Sequence, residues 1–299
     1  MNTLSSLAEL KSLSRPVHWA MGFFDGVHLG HRRIIASTAT AGALRGVLTF
    51  APHPAAVLAP ERAPKLITPE AGHKAALLQQ AGADLVLTLP FTRELAATPA
   101  LAFLEQLHAA CPIAGFSVGT NWRFGKGGSG TPDLLRAFAA TRGITTCINE
   151  LATLGDDIIC STRIRQLLAA GQMDAATAML GRPFSIVGPV EHGQKLARTL
   201  GFPTANVAIS PDMVQLPYGV YAVRCTVDGT AYPGIANLGL RPTVDNTTCP
   251  RLEVHLCGFR GDLYGRPLHT ELLRFIRPER RFDSIEALKA QIQRDLAEL

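Results

Sequence analysis

The sequence has no Cys-x-x-Cys pair, and its six cysteines (111, 147, 160, 225, 249 and 257) stand far apart without histidines at finger-like spacing. That excludes a zinc finger and a disulfide-dense scaffold, and predicts reduced thiols, mostly buried. Cys249 and Cys257 flank a predicted strand but lack further ligands, so no metal site is expected from cysteine. Long apolar runs are missing too, none approaching the roughly 20 residues of a membrane span. The first residues, MNTLSSLAELKSLSRP, carry no basic start followed by an apolar core. The expectation is therefore a cytoplasmic chain without membrane attachment. Charged residues are scarce at 18% against 47% hydrophobic, which excludes disorder as the dominant state. Aromatics are scarce as well, at 6%, with no basic–aromatic repeat. The net charge of +5, from 29 scattered basic and 24 acidic residues, fits nucleic acid or, equally well, small anionic substrates, the latter being the expected partners. The densest basic run, Arg274 to Arg281, contains Glu279 and reads as a solvated face.

At 299 residues the chain is long for one core and comfortable for two domains. Its first half alternates apolar runs near 16–22, 46–50, 84–89, 113–118 and 144–148 with helix-like segments near 31–42, 69–81, 99–110 and 132–142. That rhythm predicts a parallel sheet. After Gly181 the pattern changes to β-rich runs near 184–192, 204–208, 218–227, 231–237, 252–257 and 268–276, separated by Gly, Pro and Asn, which predicts an antiparallel barrel. A final helix over 284–298, capped by Asp283 or Ser284, carries Ile285, Leu288 and Ile292 on one face and is expected to dock on the barrel. The boundary is placed within 171–184, dividing the chain into 1–178 and 179–299.

The stretch GFFDGVHLGH at 22–31 forms the turn between the first of these strands and its helix. A helix N-terminus following a glycine-bearing turn presents backbone N–H groups and a positive dipole end, which suits a triphosphate. His28 and His31 lie three apart, so both imidazoles can face one pocket. Taken alone, the spacing fits either phosphate donors or two surface histidines beside a turn. His53 and Asn121 each follow a predicted strand, where an open α/β sheet places ligand contacts. Arg123 and Lys126 sit in a glycine-rich loop that suits a phosphate or plain solvent. Ser161 opens a predicted helix over 161–170 in which hydroxyls can cap and Arg163 and Arg165 can reach a triphosphate. Thr204 and Asn206, two apart on a strand, point the same way and can share one cation through oxygen. Glu253 on a strand reads by itself as a solvent-facing side chain.

From about residue 17 to its end the chain resembles the bacterial bifunctional riboflavin kinase and FMN adenylyltransferase (FAD synthetase) family. The resemblance rests on GFFDGVHLGH at 22–31, TFAPHP at 49–54, GTNWRFGKGGSG at 119–130 and STRIRQLLAAG at 161–171 in the first part. LGRPFSIVGPVEHG at 180–193, LGFPTANV at 200–207, PYGVYAV at 217–223, NLGLRPT at 237–243, LEVH at 252–255 and GDLYG at 261–265 follow in order. It implies an N-terminal Rossmann-like nucleotidylyltransferase domain and a C-terminal antiparallel β-barrel riboflavin kinase domain with a terminal helix. The expected activity is phosphorylation of riboflavin by ATP, then adenylyl transfer from a second ATP to FMN, giving FAD and pyrophosphate, with Mg²⁺ in both halves. The resemblance implies His28, His31 and Glu253 as catalytic groups, Glu253 taking the proton of the riboflavin 5′-hydroxyl. It implies nucleotide contacts from Gly22, Asp25, Gly30, Ser161, Thr162, Arg165, Gly193 and Lys195, flavin contacts from His53, Asn121, Trp122 and Arg123, and metal contacts from Thr204 and Asn206. Trp122 stands where the family has Phe, Ala197 where it has Gly, and Gly258 where it has Asp. The last two departures leave open a chain active only in adenylyl transfer, and the charge leaves open a flavin-binding or nucleic-acid-associated regulator without catalysis. A monomer or weak homo-oligomer is expected.

Overall fold

The computed structural model describes residues 2–192, 202–242 and 248–299. Its contacts divide the chain into two units, Met1–Ser161 and Thr162–Leu299.

The first unit is built on β1 (Asn2–Leu4), β2 (Val17–Met21), β3 (Leu44–Ala51), β4 (Leu85–Pro90), β5 (Ile113–Gly119) and β6 (Thr145–Asn149), all parallel in the order 1-4-3-2-5-6. Such a sheet must be covered on both faces, and β2 is buried at every position. Val17, Trp19 and Met21 pack with Phe103, Leu104, Leu107, Leu135 and Phe138, residues of helices on one face. Ala20 packs on the other face with Phe24, Val27, Ile35, Leu77 and Leu78. The helices are α1 (Leu29–Ala36), α2 (Pro54–Leu58), α3 (Ala71–Gln80), α4 (Arg93–Ala97), α5 (Ala100–Ala110) and α6 (Pro132–Ala140). A short antiparallel pair, β7 (Thr153–Leu154) and β8 (Asp157–Ile158), follows β6. β2 has β3 on one side and β5 on the other, so the strand order reverses between β2 and β5. In an open α/β sheet the crevice outside the carboxyl ends of those two strands is where ligands bind.

The second unit begins in α7 (Ser161–Ala169) and α8 (Met173–Leu180) and closes β9 (Phe184–Glu191), β10 (Ala205–Ala208), β11 (Gly219–Val227), β12 (Thr230–Pro242), β13 (Thr248–Leu256) and β14 (Pro267–Pro278) into a barrel ordered 10-13-12-11-14-9. Alternation fills its interior with Ile186, Val207, Tyr221, Val223, Leu252, Val254 and Leu272. Burial pushes the Tyr221 phenol well above its ordinary range, and its Oη donates to Pro217 O at 2.6 Å.

Several expectations need correction. The helix expected over 31–42 is Leu29–Ala36, because Ser37 Oγ turns back to Ile34 O and Thr38 Oγ1 to Ile35 O, closing the helix end. Among the described cysteines only Cys111 and Cys225 are buried, while Cys147, Cys160 and Cys257 are half-buried. The C-terminal helix α9 (Ile285–Ala297) is capped by Ser284 as expected, but Ile285 is exposed and the residue it buries is Asp295. Arg277 Nη2 and Nε reach both Asp295 carboxylate oxygens at 2.7 to 3.1 Å, and Arg274 Nη1 reaches Glu298 Oε2 at 3.0 Å. The basic run is thus substantially engaged with α9, and the helix is held by ion pairs as much as by its apolar stripe.

Candidate functional site

β2 ends at Met21, and the backbone then makes a turn that few sequences tolerate: Phe24, Gly26 and Val27 have φ of 57°, 80° and 41°. Such angles are costly for a ring and a β-branched residue, and persist where surroundings hold them. Gly26 meets the need without that cost, and a Cβ there would lie 2.9 Å from Ile67 Cδ1. Asp25 supplies the bracing. It is buried, and its Oδ1 accepts from Ile67 N at 2.9 Å and Thr68 N at 3.0 Å, while Gly26 N donates to Thr68 Oγ1 at 3.0 Å.

The turn delivers His28 as the N-cap of α1, its Nδ1 accepting from His31 N at 3.3 Å. An accepting Nδ1 puts the proton of the neutral ring on Nε2, the atom left to donate elsewhere. The two imidazoles stack at 3.6 Å with 18° between planes, and Phe24 meets His31 edge-on at 5.1 Å. A Cβ on Gly30 would press the His28 ring at 3.2 Å, and one on Gly22 the Phe24 ring at 3.1 Å. Both glycines therefore make room for the side chains around the histidines. Ser161 Oγ donates to Asp25 O at 2.9 Å, fastening the end of the first unit to the same turn.

β3 ends at Ala51, two residues before His53, whose Nδ1 caps α2 by accepting from Ala55 N at 3.0 Å and whose ring meets Phe23 edge-on at 4.4 Å. The two turns are joined again by Thr49 Oγ1, which donates to Phe23 O at 2.9 Å. Lys74, on α3, lies between them. Only 7% exposed, its Nζ stands 4.0 Å over the Phe23 ring and 3.5 Å from Phe50 O. Desolvation lowers its pKa to about 7 against the opposing pull of the Asp25 charge. Sequence reading passed over Lys74, although Lys74, Leu77 and Leu78 share one helix face, a spacing that places a lysine in an apolar stripe.

Asn121 follows β5 and is exposed, with Trp122 stacked on Phe124 at 4.3 Å. Arg123 donates to Trp122 O at 2.8 Å and lines a depression of about 360 Å³ with Thr120, Thr131, Asp133 and Arg136. The first unit thus sets Gly22–His31, His53 and Asn121 after the carboxyl ends of β2, β3 and β5. Thr162 and Arg165 fall in the second unit, on α7, where Arg165 Nη2 donates to Thr162 Oγ1 at 3.2 Å.

In the barrel, register does the assembling. Asn206 on β10 lies opposite Glu253 on β13, which lies opposite Asn237 on β12. Their neighbours Val207, Val254 and Ala236 fill the interior, so all three face outward along one row, with Thr204 two residues before Asn206. Asn237 Nδ2 donates to Glu279 Oε1 at 2.9 Å, and Arg251 pairs with Glu191 at 3.0 Å. A pocket of about 600 Å³ opens at the Thr204 and Asn206 end of this row, lined with them by Phe259, Arg260, Asp262 and Tyr264, while Glu253 and Asn237 lie outside its lining. Thr204 and Asn206 offer neutral oxygens, a donor set that fits a hard divalent cation whose remaining ligands are phosphate oxygens and water. Among the described residues no group of three or more His, Cys, Asp and Glu could hold a metal unaided. Gly258 has φ of +75°, a conformation that favours glycine, and a Cβ there would meet no atom within 4 Å. Gly193, Lys195 and Ala197 lie outside the described residues. The contribution of Asn237, Arg260 and Asp262 to this region was not singled out from sequence, because it depends on strand register and loop return.

A family model described as FAD synthetase matches residues 10–163, and one described as riboflavin kinase matches 180–299. The bifunctional riboflavin kinase/FMN adenylyltransferase of Pseudomonas fluorescens is 38% identical over 99% of this chain and 96% of its own length. That of Escherichia coli K12 is 39% identical over 92% of this chain and 89% of its own. A solved Streptococcus pneumoniae structure described as a macrolide-efflux protein is 26% identical, with a TM-score of 0.85 over 99% of this chain and 98% of that one. Among the described residues no helix is long and apolar enough to cross a membrane.

Proposed function

The chain belongs to the bifunctional riboflavin kinase/FMN adenylyltransferase family, and from that premise we propose how its own residues divide the two reactions. The enzyme phosphorylates riboflavin with ATP and transfers AMP from ATP to FMN, giving FAD and pyrophosphate.

For adenylyl transfer, an FMN phosphate oxygen attacks the α-phosphorus of ATP as pyrophosphate leaves. Catalysis of such a step rests on alignment and on neutralising charge. His28 donates through Nε2 to the phosphates, and His31, stacked on it, adds a second imidazole at the positive end of α1. Gly22, Asp25 and Gly30 serve the nucleotide by shaping and bracing the turn, and Ser161, Thr162 and Arg165 are its second contact segment. His53, Asn121, Trp122 and Arg123 face the flavin. The observation that carries this reading is the stacked His28–His31 pair on a braced turn at the reversal point of the sheet.

For phosphorylation, Glu253 takes the proton of the riboflavin 5′-hydroxyl as that oxygen attacks the γ-phosphorus and ADP leaves. Thr204 and Asn206 would hold Mg²⁺, which would supply charge compensation on the phosphates. The register of Asn206 with Glu253 supports this by setting cation donor and base side by side. Gly193 and Lys195 serve the same nucleotide. We place the functional boundary after residue 178, in line with a riboflavin kinase match beginning at 180, and the enzyme in the cytoplasm as a monomer or weak homo-oligomer.

Purified protein incubated with riboflavin, ATP and Mg²⁺ is expected to give FMN transiently and then FAD, read by chromatography of the flavins. FMN as the sole product would remove the proposed roles of His28 and His31. Unchanged riboflavin, with FMN still converted to FAD, would remove those of Thr204, Asn206 and Glu253.

A further inference from the structure

Lys74 is a buried cation with thin compensation. Among the described residues its side chain's hydrogen bond is long, 3.5 Å to Phe50 O, and beside it lie a ring face 4.0 Å away and the charge of Asp25. A methionine of similar length would fill the same space without desolvating a charge, so packing alone gives no reason for an ammonium here. Among the described residues, these partners come from two places. Phe23 and Asp25 belong to the turn that leads to His28, and Phe50 lies three residues before His53. Phe23 in turn meets the His53 ring at 4.4 Å and is held through its carbonyl by Thr49.

We propose that Lys74 is a positioning residue for adenylyl transfer: its ammonium clasps the turn after β2 to the end of β3, setting Phe23 and, through it, His53 against the flavin side of the site. The inference rests on the adenylyl-transfer reading of this unit. It requires the charged form, which predominates below about pH 7 where the comparison is made, because a neutral side chain keeps the volume but loses both the ring-face attraction and the pull of Asp25.

The test compares Lys74→Met and Lys74→Arg in the full chain, with both reactions measured on each preparation. Lys74→Met is expected to lower kcat/KM for FMN adenylylation about tenfold while riboflavin phosphorylation stays within about twofold. Its unfolding midpoint is expected to be equal to or above that of the parent, since a buried charge has been removed. Lys74→Arg, which keeps the charge, is expected to recover most of the adenylylation. Should the methionine variant not fold, Lys74→Gln replaces it with the same expectations for activity. Adenylylation within about twofold of the parent in Lys74→Met overturns the proposal. So does a loss of stability and activity together in both variants, which marks the lysine as structural. A parent protein that makes no FAD from FMN overturns the adenylyl-transfer reading itself, an outcome distinct from either.

Discussion

The two units hold their chemistry in opposite ways. In the first, the principal candidate groups lie past the ends of strands: His28 after β2, His53 after β3, Asn121 after β5. In the second, Asn206, Glu253 and Asn237 lie on the strands themselves, aligned across three of them. The difference follows from burial. A parallel sheet covered on both faces has no side chain to spare from its middle, so reactive groups are left to its ends and to turns that must be braced from elsewhere. A barrel buries one face of each strand and leaves the other for substrates, so the hydrogen-bonded ladder itself spaces the groups. The first site is consequently rich in backbone strain and buried polar bracing, as at Phe24, Asp25 and Val27, and the second in side chains spaced by strand register, with Asn206 buried and Asn237 and Glu253 half-buried.

That contrast is broken most decisively by catalytic substitutions. His28→Ala is expected to lower FAD formation by about a hundredfold or more while FMN formation from riboflavin persists, and Glu253→Gln to lower FMN formation similarly while FAD formation from supplied FMN persists. Flavin chromatography reads both; a folded variant that lost both reactions would mean the sites are not separate.

The next effect concerns stability of the barrel. Asp295 is almost fully buried and bidentate with Arg277, so Asp295→Ala leaves a largely buried guanidinium without its carboxylate. A loss of about 3 kcal/mol is expected for the second unit, seen in denaturant unfolding as a transition that moves while adenylylation of FMN is retained. An unmoved transition would show that α9 is held by its apolar side chains alone.

Smaller still, Gly26→Ala sets a Cβ at positive φ and 2.9 Å from Ile67, costing about 2 kcal/mol in the first unit. FAD formation should fall with it, and FMN formation should not. Equal loss of both would argue that the turn supports more than its own unit.

The smallest effect is on pH. His18, between Thr40 Oγ1 and Ser117 Oγ, has its pKa lowered by burial from the usual 6.5. The unfolded chain binds this proton more readily than the folded one, so the contribution is full above about pH 6.5 and is lost as pH falls below it. Melting of the first unit should therefore weaken toward pH 5, and His18→Gln should flatten that slope. A slope unchanged by the substitution would assign it to other groups.

Much of this was legible beforehand. Alternating apolar runs marked all but the edge strand β1 of the sheet, the Gly- and Pro-punctuated runs marked the barrel, and the ordered motifs marked the turn at 22–31 and the strands carrying Thr204, Asn206 and Glu253. These are local signals, carried by period and by turn chemistry. The helix over 31–42 was drawn too long because side chains of Ser37 and Thr38 that end it read in sequence as ordinary surface residues. Asp25 looked like a ligand contact, and its bracing of Ile67 and Thr68 lies more than 40 residues away.

By itself, then, the sequence determined the kinds of element, the change of architecture near residue 181 and the residue types offered to phosphate and flavin. Tertiary structure alone decided the strand order that opens a crevice between β2 and β5, the register that sets Asn206 beside Glu253 and Asn237, and the burial of Lys74 between two turns. The physical reason is separation along the chain. Period and capping act within a few residues, whereas desolvation and strand pairing depend on what distant segments bring to the same place.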